Sequence, residues 1–249
     1  MRVKAVISYD GSAFYGFQKQ TSTPQTVTGS IEKALKQLQI DTTIVGSGRT
    51  DRGVHATGQV IHFDLPEFWT DTEKLKNILN RRLEAIYFQS LTTVPETFHA
   101  RFDAQKRLYR YLFKTTKPSV FERNYIAYYP RQFNIKKLNH ALGCFIGEHD
   151  FRYFYKTGSE VHTTVRKVFK ADCYEKKGYF VIRFEANGFL RSQVRMMVNT
   201  AILYAQGDID YATLEAQIDG HRQSVTSLAP PEGLYLARIS YPLPLQVSV

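Results

Sequence analysis

Cysteine and tryptophan are the scarcest residues of this 249-residue chain, with two cysteines, Cys144 and Cys173, and a single tryptophan. Two thiols outside any close Cys or His spacing exclude a disulfide framework and the common zinc motifs, and read as free buried thiols of a reducing compartment. Acidic residues are also few, 23 against 33 Lys and Arg, which leaves a net charge of +10. No run approaches the ~18 apolar residues of a membrane-spanning helix. The opening Met1-Arg2-Val3-Lys4-Ala5-Val6-Ile7 turns polar at Ser8-Tyr9-Asp10, so it reads as a first strand rather than a signal peptide. A Gly-rich phosphate loop and paired histidines are both missing, so neither a cofactor nor a metal is expected. Glu148-His149-Asp150 reads as a loop, since adjacent side chains rarely face one ion together. Asp208 and Asp210 lack the glycine and terminal glutamate of a calcium loop.

What is present is a soluble, globular composition, 43% hydrophobic and 22% charged, long enough for one large domain or two small ones. The positive balance points to a polyanionic partner through counterion release and long-range steering. The 16 tyrosines and 17 phenylalanines strengthen that reading, because several alternate with Arg and Lys on strand-like segments, where flat rings beside cations suit unstacked bases.

Periodicity divides the chain into two similar runs. In the first, residues 3–9 alternate as a strand, 27–38 carry an apolar helical face, 42–47 form a short β-branched strand and 59–63 its partner. Thr70-Asp71-Thr72-Glu73 has the form of a capping box opening a helix with Leu75, Ile78, Leu79 and Leu83 inward, and 86–94 is a further strand. The order is β-α-β-β-α-β, the ferredoxin-like one. The second run repeats it approximately, with strand 107–114, helix 135–146, hairpin 165–174 and 179–185, helix 189–206 stopped by Gly207, short helix 211–218 and strand 234–241. The fold class is therefore α+β, two tandem ferredoxin-like (RRM-like) halves, 1–104 and 105–249, with mixed or antiparallel sheets around a basic cleft. The halves either share one broad sheet or face each other. Residues 116–130 and 151–164 read as long loops that grip RNA or cap the fold.

One carboxylate stands out. Gly48-Arg49-Thr50-Asp51-Arg52-Gly53-Val54-His55-Ala56-Thr57-Gly58 places Asp51 between arginines in a loop whose three glycines permit backbone conformations closed to other residues. A lone carboxylate can serve as a nucleophile if it stays ionised and oriented. A nearby arginine does both, its planar fork holding the oxygens by two hydrogen bonds. Arg195, in Asn187-Gly188-Phe189-Leu190-Arg191-Ser192-Gln193-Val194-Arg195, is a candidate partner, the alternative being a surface cation of an amphipathic helix. In Lys106-Arg107-Leu108-Tyr109-Arg110-Tyr111, Tyr109 and Tyr111 share a strand face, where one ring stacks on a base or both pack in the core.

These segments, in this order, resemble the motifs of the tRNA pseudouridine synthase A family. Tyr9-Asp10-Gly11 with Gly16-Phe17-Gln18 is similar to its opening, residues 48–60 to its catalytic loop, Phe98-His99-Ala100-Arg101-Phe102 to the approach to its tyrosine strand, 187–195 to its third motif and Glu232-Gly233-Leu234-Tyr235-Leu236 to its close. The resemblance implies that Asp51 is the nucleophile, that Tyr109 stacks on the target base and assists proton removal, that Arg195 pairs with Asp51, and that Arg49 holds the nucleotide out of its stack. It further implies a cytoplasmic homodimer that converts uridine to pseudouridine at positions 38, 39 and 40 of the tRNA anticodon stem-loop, without metal or cofactor. Thr28 departs from the family's usual glutamine, and Arg82-Leu83-Glu84-Ala85-Ile86 from its usual Leu-Pro-x-Asp-Ile. A non-catalytic RNA-binding module would use the same basic, aromatic surface without needing Asp51. A structural subunit docking through exposed aromatics would not bind RNA in a salt-dependent way.

Overall fold

The computed structural model describes residues 1–158 and 161–242. Strict alternation makes Arg2–Tyr9 (β1) a strand with one wholly buried face, Val3, Ala5, Ile7 and Tyr9. Helix Val27–Lys36 (α1) lays Ile31, Ala34 and Leu35 into the core, with Thr26 as its N-cap accepting from the Gly29 N–H. The strand expected over 42–47 shrinks to Val45–Gly46 (β2), and its partner lengthens to His55–Asp64 (β3). Helix Thr72–Arg82 (α2) follows, capped by Asp71 rather than Thr70, and Ile86–Thr93 (β4) ends the first half.

The second half opens with Lys106–Lys114 (β5), then Ala127–Tyr128 (β6) and helix Ile135–Cys144 (α3). Gly147–Asp150 (β7) is a strand, correcting the loop expected at Glu148-His149-Asp150: its residues pair with 165–168 as an edge strand. The hairpin Val165–Lys176 (β8) and Tyr179–Ala186 (β9) turns at Lys177 and Gly178, both at positive φ. Helices Gln193–Gln206 (α4) and Tyr211–Ile218 (α5) and the strand Leu234–Ser240 (β10) complete the chain. Helix α4 begins four residues later than its apolar pattern suggests, because Ser192 adopts a left-handed conformation, and ends at Gly207, φ +83°.

The two halves share one ten-stranded mixed sheet, β4-β1-β3-β10-β5-β9-β8-β7, with β2 beside β3 and β6 beside β5. β1 lies between β4 and β3, and β5 between β10 and β9, so each is hydrogen-bonded to the last strand of its own run. The seam is the parallel pairing of β10 with β3, only Tyr235 opposite His55 and Leu236 opposite Ala56. Phe145, Phe151, Phe154 and Phe184 pack together in the second half's core, so segment 151–164 caps the fold through Phe151 and Phe154; its residues 159 and 160 lie outside the described chain. Thr28 is buried, and its hydroxyl accepts from the Lys19 N–H. Cys173 is buried, as expected, whereas Cys144 is only half-buried; both are free thiols. Among the described residues no helix is long and apolar enough to cross a membrane.

The three motif glycines differ in use. Gly53 is at φ +77°, as a tight turn requires. Gly58 is not in the loop at all but in β3, where an added Cβ would lie 2.4 Å from the Ala237 carbonyl oxygen of β10, so its missing side chain lets the seam close. A Cβ on Gly48 would meet nothing within 4 Å. Gly58→Ala is therefore expected to destabilise the protein by about 2 kcal/mol in urea unfolding, against a few tenths for Gly48→Ala; equal effects would contradict this account of the seam.

Candidate active site

The loop that carries Asp51 leaves β2 and is pinned along its length. Ser47 donates from its hydroxyl to Gln59 Oε1 at 2.6 Å, and Gln59 Nε2 donates to the Gly48 carbonyl at 2.8 Å. The Thr50 hydroxyl lies 2.8 Å from that of buried Tyr9, and the Thr50 carbonyl accepts from the Phe17 N–H. The Arg52 guanidinium sits over the Tyr15 ring, 4.2 Å from its centroid, and the Asp51 carbonyl closes a turn with the Val54 N–H. With backbone and neighbours so fixed, the Asp51 side chain is presented in one direction, partly open to solvent (28% exposed).

Its partners come from the other half, more than 140 residues on. Arg195 Nη1 donates to Asp51 Oδ2 at 3.0 Å and the Ser192 hydroxyl donates to the same oxygen at 2.8 Å. Arg195 is thus the carboxylate's ion-pair partner, not a surface cation, with only 14% of its side chain exposed. The expected two-pronged fork is corrected: Nε of Arg195 donates instead to the Ala229 carbonyl at 2.8 Å, while the Ala229 N–H returns to the Arg195 carbonyl at 3.1 Å. The second donor on the carboxylate is Ser192, absent from the sequence reading. A serine ahead of an apolar helix is an N-cap signal, but the apolar pattern starting at Phe189 placed it inside the helix. It does occupy the N-cap, at φ 60° and ψ 9°, without making a cap bond. Such a backbone costs a non-glycine residue on the order of 1–2 kcal/mol. The turn before it is held by Gln193, whose fully buried side chain accepts from the Leu190 N–H at 2.7 Å.

Tyr109 projects from β5 toward this carboxylate, only 9% exposed and edge-on to the Phe189 ring, with centroids 5.3 Å apart. Burial, and next the Asp51 carboxylate, push its phenol well above the ordinary range. Tyr111, on the same strand face, is fully buried with its hydroxyl 3.4 Å from that of Tyr129, the core fate. Arg49 is exposed and makes no side-chain hydrogen bond or ion pair among the described residues. The structure therefore brings Asp51, Arg195 and Tyr109 together and gives Arg49 no hydrogen bond or ion pair with them.

Arg107, also unremarked in the sequence, ties the loop to the rest. Its two terminal nitrogens donate to the carbonyls of Ala104, Asn187, Ser47 and Arg101, at 2.8, 2.6, 3.3 and 2.8 Å. One guanidinium thus joins the start of the Asp51 loop, the segment between the halves, and the turn leading to Ser192. Burial, with the Arg101 charge adding, pulls its pKa down; Arg166 is lowered by burial, then by Arg107 and Arg101. None of these three arginines has a carboxylate partner among the described residues, which leaves a patch of uncompensated positive charge. Among the same residues no three His, Cys, Asp or Glu side chains converge on a point that could hold a metal ion.

Fold and site together define a mixed α+β protein in which a single aspartate is braced across the joint of two half-sheets beside a buried tyrosine. The model of the tRNA pseudouridine synthase family matches residues 5–103 and 141–242, and the chain belongs to that family. It is 40% identical over 244 residues to the tRNA pseudouridine synthase A of Helicobacter hepaticus, covering 96% of this chain and 98% of that one. It is 43% identical over 247 residues to that of Listeria monocytogenes (96% and 99%) and 37% identical over 242 residues to that of Campylobacter jejuni (97% and 100%). A chain from the solved structure of a Cbf5-Nop10-Gar1 complex aligns with a TM-score of 0.34 at 14% identity, over 80% of this chain and 45% of that one, too slight a likeness to add to this.

Arg107→Met removes donors from four carbonyls at once and is expected to cost about 2–4 kcal/mol in urea unfolding. Arg107→Lys should recover less than half of that, since one ammonium cannot span the same acceptors. Full recovery by lysine would show that charge alone, and not the planar fork, ties these segments.

Proposed function

We propose that this chain isomerises uridine to pseudouridine in tRNA with Asp51 as the nucleophile. The observation that carries the reading is the Asp51 carboxylate, fixed through Oδ2 by Arg195 and Ser192 beside Tyr109, in a chain of the tRNA pseudouridine synthase family. The target nucleotide is turned out of its stack. Its N1 glycosidic bond is broken, the ring turns, C5 joins C1′, and the C5 proton leaves while N1 regains one, so product and substrate are isomers. Asp51 attacks ribose C1′ or uracil C6. Tyr109 stacks on the target base, and exposed Arg49 helps to hold the nucleotide out of its stack.

The same reading places the substrate uridines at positions 38, 39 and 40 of the anticodon stem-loop and the enzyme in the cytoplasm as a homodimer, without metal or cofactor. Its halves, 1–104 and 105–249, are tandem ferredoxin-like units; the matching position of β1 and β5 within their half-sheets supports this. The uncompensated arginines 101, 107 and 166 beside the Asp51 loop supply the pull on an RNA backbone.

Incubation with tRNA tritiated at uridine C5 tests the reaction. The native chain is expected to release tritium, and Asp51→Ala to bind tRNA with release lowered by at least about 10³-fold, as for loss of a covalent nucleophile. Tight, salt-dependent binding by the native chain without release would instead make it an RNA-binding module on the same frame.

A further inference from the structure

The contacts around Asp51 are lopsided. Both donors, the Ser192 hydroxyl at 2.8 Å and Arg195 Nη1 at 3.0 Å, fall on Oδ2, and among the described residues Oδ1 accepts no hydrogen bond. Ser192 is one of three described non-glycine residues at positive φ; the others, Gln39 and Lys177, lie in turns after a helix and within a hairpin. Glycine is the residue that fits such a backbone without strain. As an N-cap, serine would normally accept from a helix N–H, yet here it makes no such bond and its proton is spent on Asp51.

Resting on the reading of Asp51 as nucleophile, we infer that Ser192 is a positioning residue for the reaction, and that Oδ1 is the oxygen Asp51 presents to the substrate. Two donors converging on Oδ2 stop the carboxylate from rotating about its Cβ–Cγ bond. They leave on Oδ1 a lone pair that can attack without first breaking a hydrogen bond. When Oδ1 bonds to C1′, the glycosidic pair leaves on N1; when it bonds to C6, the C5–C6 π pair shifts to C5 and the C4 carbonyl oxygen as an enolate. In either case the pair that made the bond returns to Oδ1 when that bond breaks, and the carboxylate is regenerated. The strained backbone is kept because glycine, which would relieve it, carries no hydroxyl.

Activity and stability are then separable at this position. Single-turnover conversion of tRNA at saturating enzyme, tRNA affinity and urea unfolding are to be measured for the native chain, Ser192→Thr, Ser192→Ala and Ser192→Gly. Stability should follow the backbone, with glycine highest and β-branched threonine lowest. The rate should follow the hydroxyl: threonine faster than both alanine and glycine, and these two slower than native by about tenfold to a hundredfold, the worth of a hydrogen bond to a charged group, with tRNA affinity unchanged. Alanine or glycine matching or exceeding threonine in rate would overturn the inference. Asp51→Asn in the same series separates the two ideas. If it is inactive while Ser192→Gly turns over at the native rate, only the role of Ser192 falls; if it is active, the nucleophile reading itself falls.

Discussion

Everything specific about this molecule depends on one carboxylate oxygen that belongs to both halves. Oδ2 of Asp51, on a loop of the first half, is reached by a guanidinium and a hydroxyl from the N-terminal end of α4 in the second. Neither half holds the site alone. The contact is partly buried, which protects it from the salt screening that makes surface ion pairs weak. It also couples the orientation of the acid to the register of β3 against β10, so an error at that seam is an error in the angle of the acid.

The joint is built accordingly. Two residue pairs of β3 and β10 make a short parallel seam, a modest amount of backbone bonding for a sheet of ten strands. Close approach at Gly58 and the Arg107 guanidinium compensate for that shortness, the latter drawing four carbonyls from three segments to one point. The reciprocal bonds between Arg195 and Ala229 fix the arginine before it meets the acid. Little reorganisation of the pair is left, the condition under which preorganised charges act most strongly.

Much of this was legible in the residues. Alternation over 3–9 and 107–114, the helical face of 27–38 and the stop at Gly207 located their elements, because burial on one face sets the period. Asp51, Tyr109 and Arg195 were nameable because a lone acid among arginines and a Tyr-Arg strand are chemically unusual, and because their order along the chain resembles a known family. What was hidden shares one physical cause, long-range geometry. Ser192 looks like any small polar residue at a helix start until its left-handed backbone and its reach to Asp51 are seen. Arg107 looks like one basic residue among 33 until its carbonyl partners are assembled. Gly58 looked like loop freedom, and β3 and β10 make it a matter of space. The edge strand β7 was missed because four polar-rich residues show no period of their own; their pairing with β8 supplies the order.

The claim that one oxygen is held jointly is tested most directly by a double-mutant cycle on the single-turnover rate, with Ser192→Ala and Arg195→Met alone and combined. If both act by fixing Oδ2, removing the second donor after the first costs little more, and the double variant should be nearly as active as the slower single variant. Losses that multiply independently would mean that the two residues serve different steps, and would contradict the account of Asp51 given by this structure.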